Sequence, residues 1–352
     1  MNKAILPKVA KPVRYEVKLD IDLSNFKYTG SQDVELEIIK ETKSFEVNAI
    51  DIEIISTLLF NEDGKEFDLT FEYLKDLERI SFTASENIPV GKYSLQLEFN
   101  STITNDLKGF YKSQFLDLND NEKWIATTQF EPTSARNAFP CWDEPEYKAV
   151  FSISLTSDEK YLRVSNEKVL RENKLEDGRV ETLFVDSMKM STYLVAFVIG
   201  ELEVTEVGSV GDTQIRIIHR PGFSHQTSFA GTAGMKILEF FENYYQIPYP
   251  GSKLDLIAIP DFAMGAMENV GAVTFRESLL LIDESKATRQ ELSRSVSVIA
   301  HELAHMWFGD LVTMKWWDGI WLNEAFASLM EAIAANGTYP EFDQWSEMNL
   351  SR

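Results

Sequence analysis

Two histidines four residues apart are the side chains of this sequence whose type and spacing best suit chemistry. They lie in the segment His301-Glu-Leu-Ala-His305, and the chain contains only 4 histidines. On an α-helix, residues i and i+4 lie about 40° apart on one face, so both imidazoles can reach one metal ion. Glu302 would then lie beside that ion, where it can accept a proton from metal-bound water. The segment therefore predicts a metal centre that activates water.

A catalytic zinc ion needs a third protein ligand and one open position for water. Glu324, within Trp321-Leu-Asn-Glu-Ala-Phe-Ala327, is the natural candidate, because it lies on the next predicted helix. Two helices joined by a loop can bring a carboxylate to the histidine pair. Glu331 follows on the same helix face, where it either binds the outer nitrogen of a ligand histidine or faces solvent.

The first half of the chain is predicted to fold as strands. Apolar and polar residues alternate through residues 15–21, 34–38, 50–54 and 93–99, which is typical of strands with one buried and one exposed face. Turn-forming residues separate these runs. We therefore predict an all-β domain over residues 1–203.

Helical periodicity begins after residue 200. We predict helices over residues 227–245, 288–308 and 318–335, with Asp318 as an N-cap and Gly309 as a C-terminal cap. A strand is predicted at residues 254–259. Residues 204–352 are therefore expected to form a mixed domain whose helices position the metal ligands.

Composition excludes several classes of partner. The chain has 352 residues, 44% of them hydrophobic, and a net charge of −22, which repels phosphate backbones and anionic lipid. We therefore expect no nucleic-acid partner and no membrane partner. Cys141 is the only cysteine, so no internal disulfide is possible. The N-terminal residues have no apolar run of signal-peptide length, and we expect a cytoplasmic protein.

Three further segments make the pattern specific. They are Thr128-Gln-Phe-Glu-Pro-Thr-Ser-Ala-Arg136, Phe139-Pro-Cys-Trp-Asp-Glu-Pro145 and Gly265-Ala-Met-Glu-Asn269. Together with the histidine pair and Glu324, they resemble the M1 family of zinc aminopeptidases, the puromycin-sensitive and cytosolic alanyl/arginyl type in particular. The resemblance implies a multidomain fold: an all-β saddle-like N-terminal domain, then a truncated α+β thermolysin-like zinc peptidase domain. It also implies one Zn²⁺ per chain.

The resemblance further implies how a peptide with a free N-terminus is bound. Glu268 and Glu131 would hold the α-ammonium group, and the backbone of the glycine-bearing segment would pair with the peptide as an added strand. The implied substrate-binding residues are Glu131, Gly265, Ala266, Met267, Glu268 and Asn269. Without the resemblance, residues 265–269 would suit a tight edge segment with an exposed glutamate. Met264 would either line the pocket for the first side chain or lie in the core.

The implied activity is hydrolysis of the N-terminal peptide bond by zinc-activated water, with Glu302 as general base, in peptide catabolism. Family members are longer and carry, beyond the third ligand, a tyrosine that donates a hydrogen bond to the developing oxyanion. This sequence ends at Arg352, before that position. We therefore expect a catalytic domain that is incomplete at its C-terminus. The alternative is a catalytically impaired short form or fragment that binds zinc and peptide.

Two other hydrolases share part of the pattern. The epoxide-hydrolysing branch of the same fold typically has a second glycine where this chain has Ala266 and a glutamine where it has Glu131. A zinc endopeptidase shares the histidine pair but has no need of ammonium-binding carboxylates. Oligomeric state and side-chain preference cannot be predicted from these residues.

Overall fold

The computed structural model describes residues 5–346. Within these residues the strands are β1 (Ala10–Asp22), β2 (Lys27–Ile38), β3 (Thr42–Asn48), β4 (Glu53–Asn61), β5 (Glu66–Phe67), β6 (Leu69–Leu74), β7 (Arg79–Ile88), β8 (Gly91–Thr102), β9 (Gly109–Leu116), β10 (Glu122–Gln129), β11 (Val150–Asp158), β12 (Leu162–Ser165), β13 (Val169–Lys174), β14 (Arg179–Phe184), β15 (Phe197–Gly200), β16 (Glu203–Val210), β17 (Thr213–His219), β18 (Lys253–Ile259), β19 (Ala266–Met267) and β20 (Ala272–Arg276). The helices are α1 (Ser228–Tyr245), α2 (Glu277–Leu280), α3 (Arg289–His305) and α4 (Ile320–Thr338).

The described residues divide into two compact units. The first contains the chain up to residue 112 together with residues 126–165 and 169–198, and the second contains residues 113–125, 166–168 and the chain from residue 199 onward. The domain boundary after residue 203 stays a prediction. Residues 347–352 of the predicted second domain lie outside the described residues.

The first unit is built from strands, as the alternation of apolar and polar residues predicts. Its largest sheet has the order β13-β14-β11-β1-β2-β8-β4-β5, and a smaller one has the order β3-β7-β6. Strands β12-β15-β10-β9 form a four-stranded sheet. β1 runs antiparallel to β2 and parallel to β11, and its alternate residues are buried. The all-β expectation for this part of the chain is confirmed.

Two of the family-like segments supply buried parts of the first unit. The Tyr15 ring stacks on Phe151 with centroids 4.9 Å apart, and the Tyr15 hydroxyl accepts a hydrogen bond from the Trp142 backbone N–H at 3.1 Å. Arg136 Nε donates to Asp143 Oδ2 at 2.9 Å, and the Asp143 side chain is fully buried. A buried charge needs such a partner, so these segments have a structural explanation within this unit.

The second unit contains one five-stranded sheet of order β16-β17-β18-β20-β19. β17, β18 and β20 are parallel to one another, whereas β19 is an antiparallel edge strand on β20. Apolar faces of α1, α3 and α4 share a core with this sheet. The mixture of helices and strands is the α+β arrangement expected here.

The helix boundaries correct two predictions. α3 ends at His305 with Met306 as its C-cap residue, and Gly309 lies in the following turn at φ +145° instead of capping the helix. α4 begins at Ile320 with Gly319 as its N-cap residue, because Asp318 belongs to a preceding 3₁₀ turn. Both errors lie in the connection between the two helices, where local turns compete with regular helix ends.

The helices of the described residues are short or partly polar. Over residues 5–346, none of them combines the length and the apolar character that a bilayer crossing requires.

A glycine in the large sheet provides a test of the first unit. Gly30 of β2 lies opposite Phe99 of β8, and a Cβ on Gly30 would come within 2.2 Å of the Phe99 ring. Phe99 is buried and cannot move aside, so Gly30→Ala should lower the free energy of unfolding by about 1–3 kcal/mol. Gly91→Ala is the matched control, since its Cβ would lie 3.7 Å from Tyr93. Thermal or urea unfolding measures both variants, and equal midpoints would contradict the packing argument.

Candidate active site

Helix α3 brings the two histidines together. Its first turn is fixed by a capping box, in which the Thr288 side chain accepts from the Glu291 N–H and the Glu291 carboxylate accepts from the Thr288 N–H. At the other end of the helix, the Nε2 atoms of His301 and His305 lie 3.1 Å apart. The i, i+4 spacing thus gives the convergence that the sequence predicts.

Helix α4 adds a carboxylate to this pair. Glu324 Oε2 lies 3.2 Å from His301 Nε2, and Glu324 Oε1 lies 3.6 Å from His305 Nε2. Phe326 of α4 stacks on Phe308 with ring centroids 4.8 Å apart, which holds the helix close to the end of α3. Two helices therefore present three donor atoms to one point.

The spacing of these donors fits a zinc ion. Three ligand atoms, one each from His301, His305 and Glu324, lie within 4.8 Å of one another. Tetrahedral zinc with bonds of about 2.1 Å separates its ligand atoms by about 3.4 Å, close to the distances between these three side chains. Two imidazoles and one carboxylate are also a donor set that zinc accepts in hydrolases. The residues present therefore fit the metal that the sequence predicts.

The outer nitrogens of both histidines have acceptors. His301 Nδ1 lies 3.2 Å from Glu331 Oε2, and His305 Nδ1 lies 3.1 Å from the Phe308 carbonyl oxygen. In the neutral imidazole, such acceptors favour a proton on Nδ1, which leaves the lone pair of Nε2 directed at the shared point. Of the two alternatives for Glu331, the structure shows the contact with His301. The Phe308 carbonyl was missed, because a backbone acceptor has no signature in the sequence.

The charges around the histidines favour a cation at this point. Burial alone lowers the pKa of His301, but hydrogen bonds to Glu324 and Glu331 outweigh it and raise the pKa to about 9. His305 is also buried, and the charges of Glu268 and Glu324 raise its pKa well above its usual value. Burial would raise the pKa of Glu324, yet the hydrogen bond from His301 and the charges of both histidines hold it far below its usual value. The site therefore stabilises positive charge.

Glu302 lies on the same helix between the two histidines and is 5% exposed. Burial raises the pKa of its carboxyl to about 8, with the charges of Glu268 and Glu324 adding to the effect and those of the histidines opposing it. A carboxyl group of this kind can accept and return a proton near neutral pH. Its placement suits the role of a general base beside the three donors.

The glycine-bearing segment forms the edge of the five-stranded sheet. In β19, Ala266 pairs with Phe275 and Met267 pairs with Thr274, while Arg276 N–H donates to the Gly265 carbonyl at 2.9 Å. β19 is the outermost strand in the order of the sheet. The segment thus lies at a sheet edge, as expected, but the exposed glutamate expected without the family resemblance is wrong, because Glu268 is buried.

Two side chains that follow β19 are buried. Glu268 is 3% exposed, and its charge affects the pKa values of Glu302 and His305, so it lies close to the metal-ligand cluster. The Asn269 amide donates within the protein, to Thr274 Oγ1 at 3.3 Å and to the Ala272 carbonyl at 3.4 Å. The structure thus gives Asn269 a local structural function, and its substrate contact stays a prediction.

The remaining two predicted residues are Met264 and Glu131. Met264 is 54% exposed, which is inconsistent with the core alternative. Glu131 belongs to the first unit, where it follows β10 and is half-buried. Its role in binding an amino terminus stays a prediction.

Comparison with known proteins gives two family matches. The model of the peptidase M1 N-terminal domain matches residues 11–194, and the model of the peptidase family M1 domain matches residues 229–352. The first match contains Glu131, and the second contains the three donors, Glu302 and Glu268. Both matches agree with the resemblance drawn from the sequence motifs.

Individual relatives cover nearly all of this chain. It is 39% identical to aminopeptidase M1-A of Oryza sativa subsp. japonica over 98% of the chain, and 40% identical to the puromycin-sensitive aminopeptidase of Caenorhabditis elegans over 97%. It is 39% identical to endoplasmic reticulum aminopeptidase 2 of Homo sapiens over 97%. The alignments cover 40%, 36% and 36% of those proteins, so the chain spans about two fifths of the length of the curated relatives it matches.

Proposed function

The chain belongs to peptidase family M1, and on that basis we propose that it supports zinc-dependent hydrolysis of the N-terminal peptide bond of peptides. One observation supports this activity above the others. His301, His305 and Glu324 present three donor atoms at zinc spacing, with the buried Glu302 on the same helix as the two histidines. An M1 aminopeptidase requires this combination of a metal site and a base.

Each site residue of the second unit has a defined role in this proposal. His301, His305 and Glu324 would hold zinc, which when bound supplies the Lewis acidity that activates water and polarises the scissile carbonyl. Glu302 accepts the proton of the attacking water and passes it to the leaving amine. Glu331 fixes the ring of His301 through the hydrogen bond to Nδ1.

Amine recognition is assigned to Glu268. A buried carboxylate near the ligand cluster favours the charged form of a substrate α-amino group, whose pKa is ordinarily about 7.7–8.0. It would also set the distance from the amino terminus to the scissile bond. Gly265 and Ala266 would pair their backbone groups with an extended peptide. We extend the amine-binding role to Glu131 by resemblance to the family alone.

The substrates proposed here are peptides with a free N-terminus, and zinc is the proposed metal at one ion per chain. We keep the cytoplasm as the proposed location. The relatives do not decide it, because one is named for the endoplasmic reticulum.

The base assignment is tested by Glu302→Gln. With one equivalent of zinc, the 352-residue chain should hydrolyse aminoacyl fluorogenic amides, and Glu302→Gln should keep the zinc but lose at least about 100-fold in rate, because the proton acceptor is removed. Glu239→Gln on α1 is the control, since Glu239 is exposed and far along the chain from the ligands. Zinc content is measured by atomic absorption.

Other outcomes of this experiment are also decisive. Normal turnover by a zinc-loaded Glu302→Gln variant would contradict the base assignment. Equal cleavage of N-acetylated amides would favour an endopeptidase. Zinc binding without turnover in the unmodified chain would favour the alternative of a short form that binds zinc and peptide but does not catalyse.

The contact between Glu331 and His301 is tested by zinc affinity. Glu331→Gln should weaken zinc binding about tenfold, because a neutral amide orients the His301 ring less strongly and lowers the basicity of its Nε2. Competition with a chromophoric chelator measures the affinity, and Glu239→Gln again provides the control. Unchanged affinity would mean that Glu331 does not support the metal site.

A further inference from the structure

A tight turn follows Glu268 and connects β19 to β20. Ala272 N–H donates to the Asn269 carbonyl at 2.9 Å, which closes the turn. Gly271 adopts φ +74°, and a Cβ there would lie 1.9 Å from the Asn166 carbonyl oxygen. Only glycine fits this position, because the backbone of the turn packs directly against the backbone of Asn166.

Three buried side chains hold the backbone of this turn. Asn166 Nδ2 donates to the Val270 carbonyl at 2.9 Å, and Lys253 Nζ donates to the Gly271 carbonyl at 2.6 Å. The Gly271 N–H donates to the Tyr249 hydroxyl oxygen at 2.9 Å. All three residues are at most 6% exposed. We call Asn166, Tyr249 and Lys253 the turn clamp.

The lysine of the turn clamp belongs to a buried network of charges. Lys253 Nζ lies 2.7 Å from Asp255 Oδ2, and Arg216 binds the same carboxylate through both oxygens at 2.7 and 2.8 Å. Asp255 is fully buried. Burying these charges costs solvation energy, and their mutual attraction offsets only part of that cost. We therefore do not expect the network to add much to the free energy of unfolding. Its geometric effect is to fix the Lys253 ammonium at the Gly271 carbonyl.

Glu268 depends on this turn for its position. β19 contains only Ala266 and Met267, and its ladder to β20 ends at Met267. Glu268 therefore lies between a two-residue strand and the turn. Its Cα is fixed from one side by the short ladder and from the other by the backbone that the turn clamp holds.

We propose that Asn166, Tyr249 and Lys253 act as positioning residues, which hold the turn after Glu268 so that its carboxylate meets the substrate amino terminus at a fixed distance from the metal ligands. This inference rests on the proposed function, because it deepens the amine-binding role given to Glu268. A displacement of a binding group by even a fraction of an ångström weakens an ionic hydrogen bond. The turn clamp prevents such a displacement without contacting the substrate.

The test compares two tyrosine-to-phenylalanine variants. Tyr249→Phe removes the acceptor of the Gly271 N–H. Tyr245→Phe is the matched control, because its hydroxyl has no hydrogen-bond partner among residues 5–346 and its ring packs on Trp307. Binding of L-leucinol and of N-acetyl-L-leucinol, neither of which carries the aminoacyl amide bond that the proposed activity cleaves, is measured by calorimetry on the zinc-loaded 352-residue chain. The ratio of the two dissociation constants reports the preference for a free amine.

We expect Tyr249→Phe to reduce this preference about fivefold, and Tyr245→Phe to leave it unchanged. A merely structural role would lower the melting temperature or weaken both ligands equally, and would not change the ratio. Asn166→Ala removes the bond to the Val270 carbonyl and should act in the same direction, which keeps the test available should Tyr249→Phe not fold.

The outcomes separate this inference from the proposed function. If the unmodified chain shows no preference for the free amine, the amine-binding role of Glu268 is wrong and the inference falls with it. If the unmodified chain prefers the free amine and the turn-clamp variants keep the full preference, the inference alone is overturned. An equal loss in Tyr245→Phe would also overturn it.

Discussion

The structure of the candidate site depends on the contact between Glu324 and the two histidines of α3. Buried carboxylates repel one another and lose solvation, and the site gathers Glu268, Glu302 and Glu324 near one point. Positive charge on the histidines or on a bound cation is what offsets that cost. The packing of α3 and α4 therefore has to place the donors within a few tenths of an ångström, because attraction at this spacing compensates only when the geometry is good.

Regular helices meet this requirement better than loops. Helix geometry sets the distance between His301 and His305. The stack of Phe326 on Phe308 holds α4, and with it the Glu324 carboxylate, close to the end of α3. Acceptors behind each imidazole then fix the rotation of the rings. The donor side of the site is thus positioned by two rigid elements and by contacts outside the ligand set, while the glycine-bearing segment contributes from the edge of a sheet.

How far the site could be predicted depends on the sequence distance of each interaction. Helix periodicity predicts the placement of His301, Glu302 and His305. Glu324 can also be predicted, because it lies on the next helix along the chain. The capping box at Thr288 and Glu291 is a local feature as well, because its Thr-x-x-Glu pattern lies within four consecutive residues. The ends near Gly309 and Asp318 were wrong, because turn conformation in that connection depends on tertiary packing. Asn166 lies about 100 residues before the turn that it holds, and no local pattern reports such a contact.

In the proposed function the edge segment faces two opposing demands, and the buried charges behind it would meet them. An edge strand that accepts a peptide must leave backbone groups accessible, so it cannot be fixed by a second neighbouring strand. Glu268 must nevertheless have a fixed position if it is to hold a substrate amino terminus at a set distance from the metal ligands. Anchoring the following turn from the interior satisfies both demands, since the bonds from Asn166, Tyr249 and Lys253 reach the backbone from residues that are themselves buried. A lysine suits this position because its long side chain can place an ammonium at a carbonyl while the Asp255 carboxylate balances its charge. The buried network of Lys253, Asp255 and Arg216 loses solvation energy, and in return it helps to fix the Glu268 carboxylate beside the open edge strand β19.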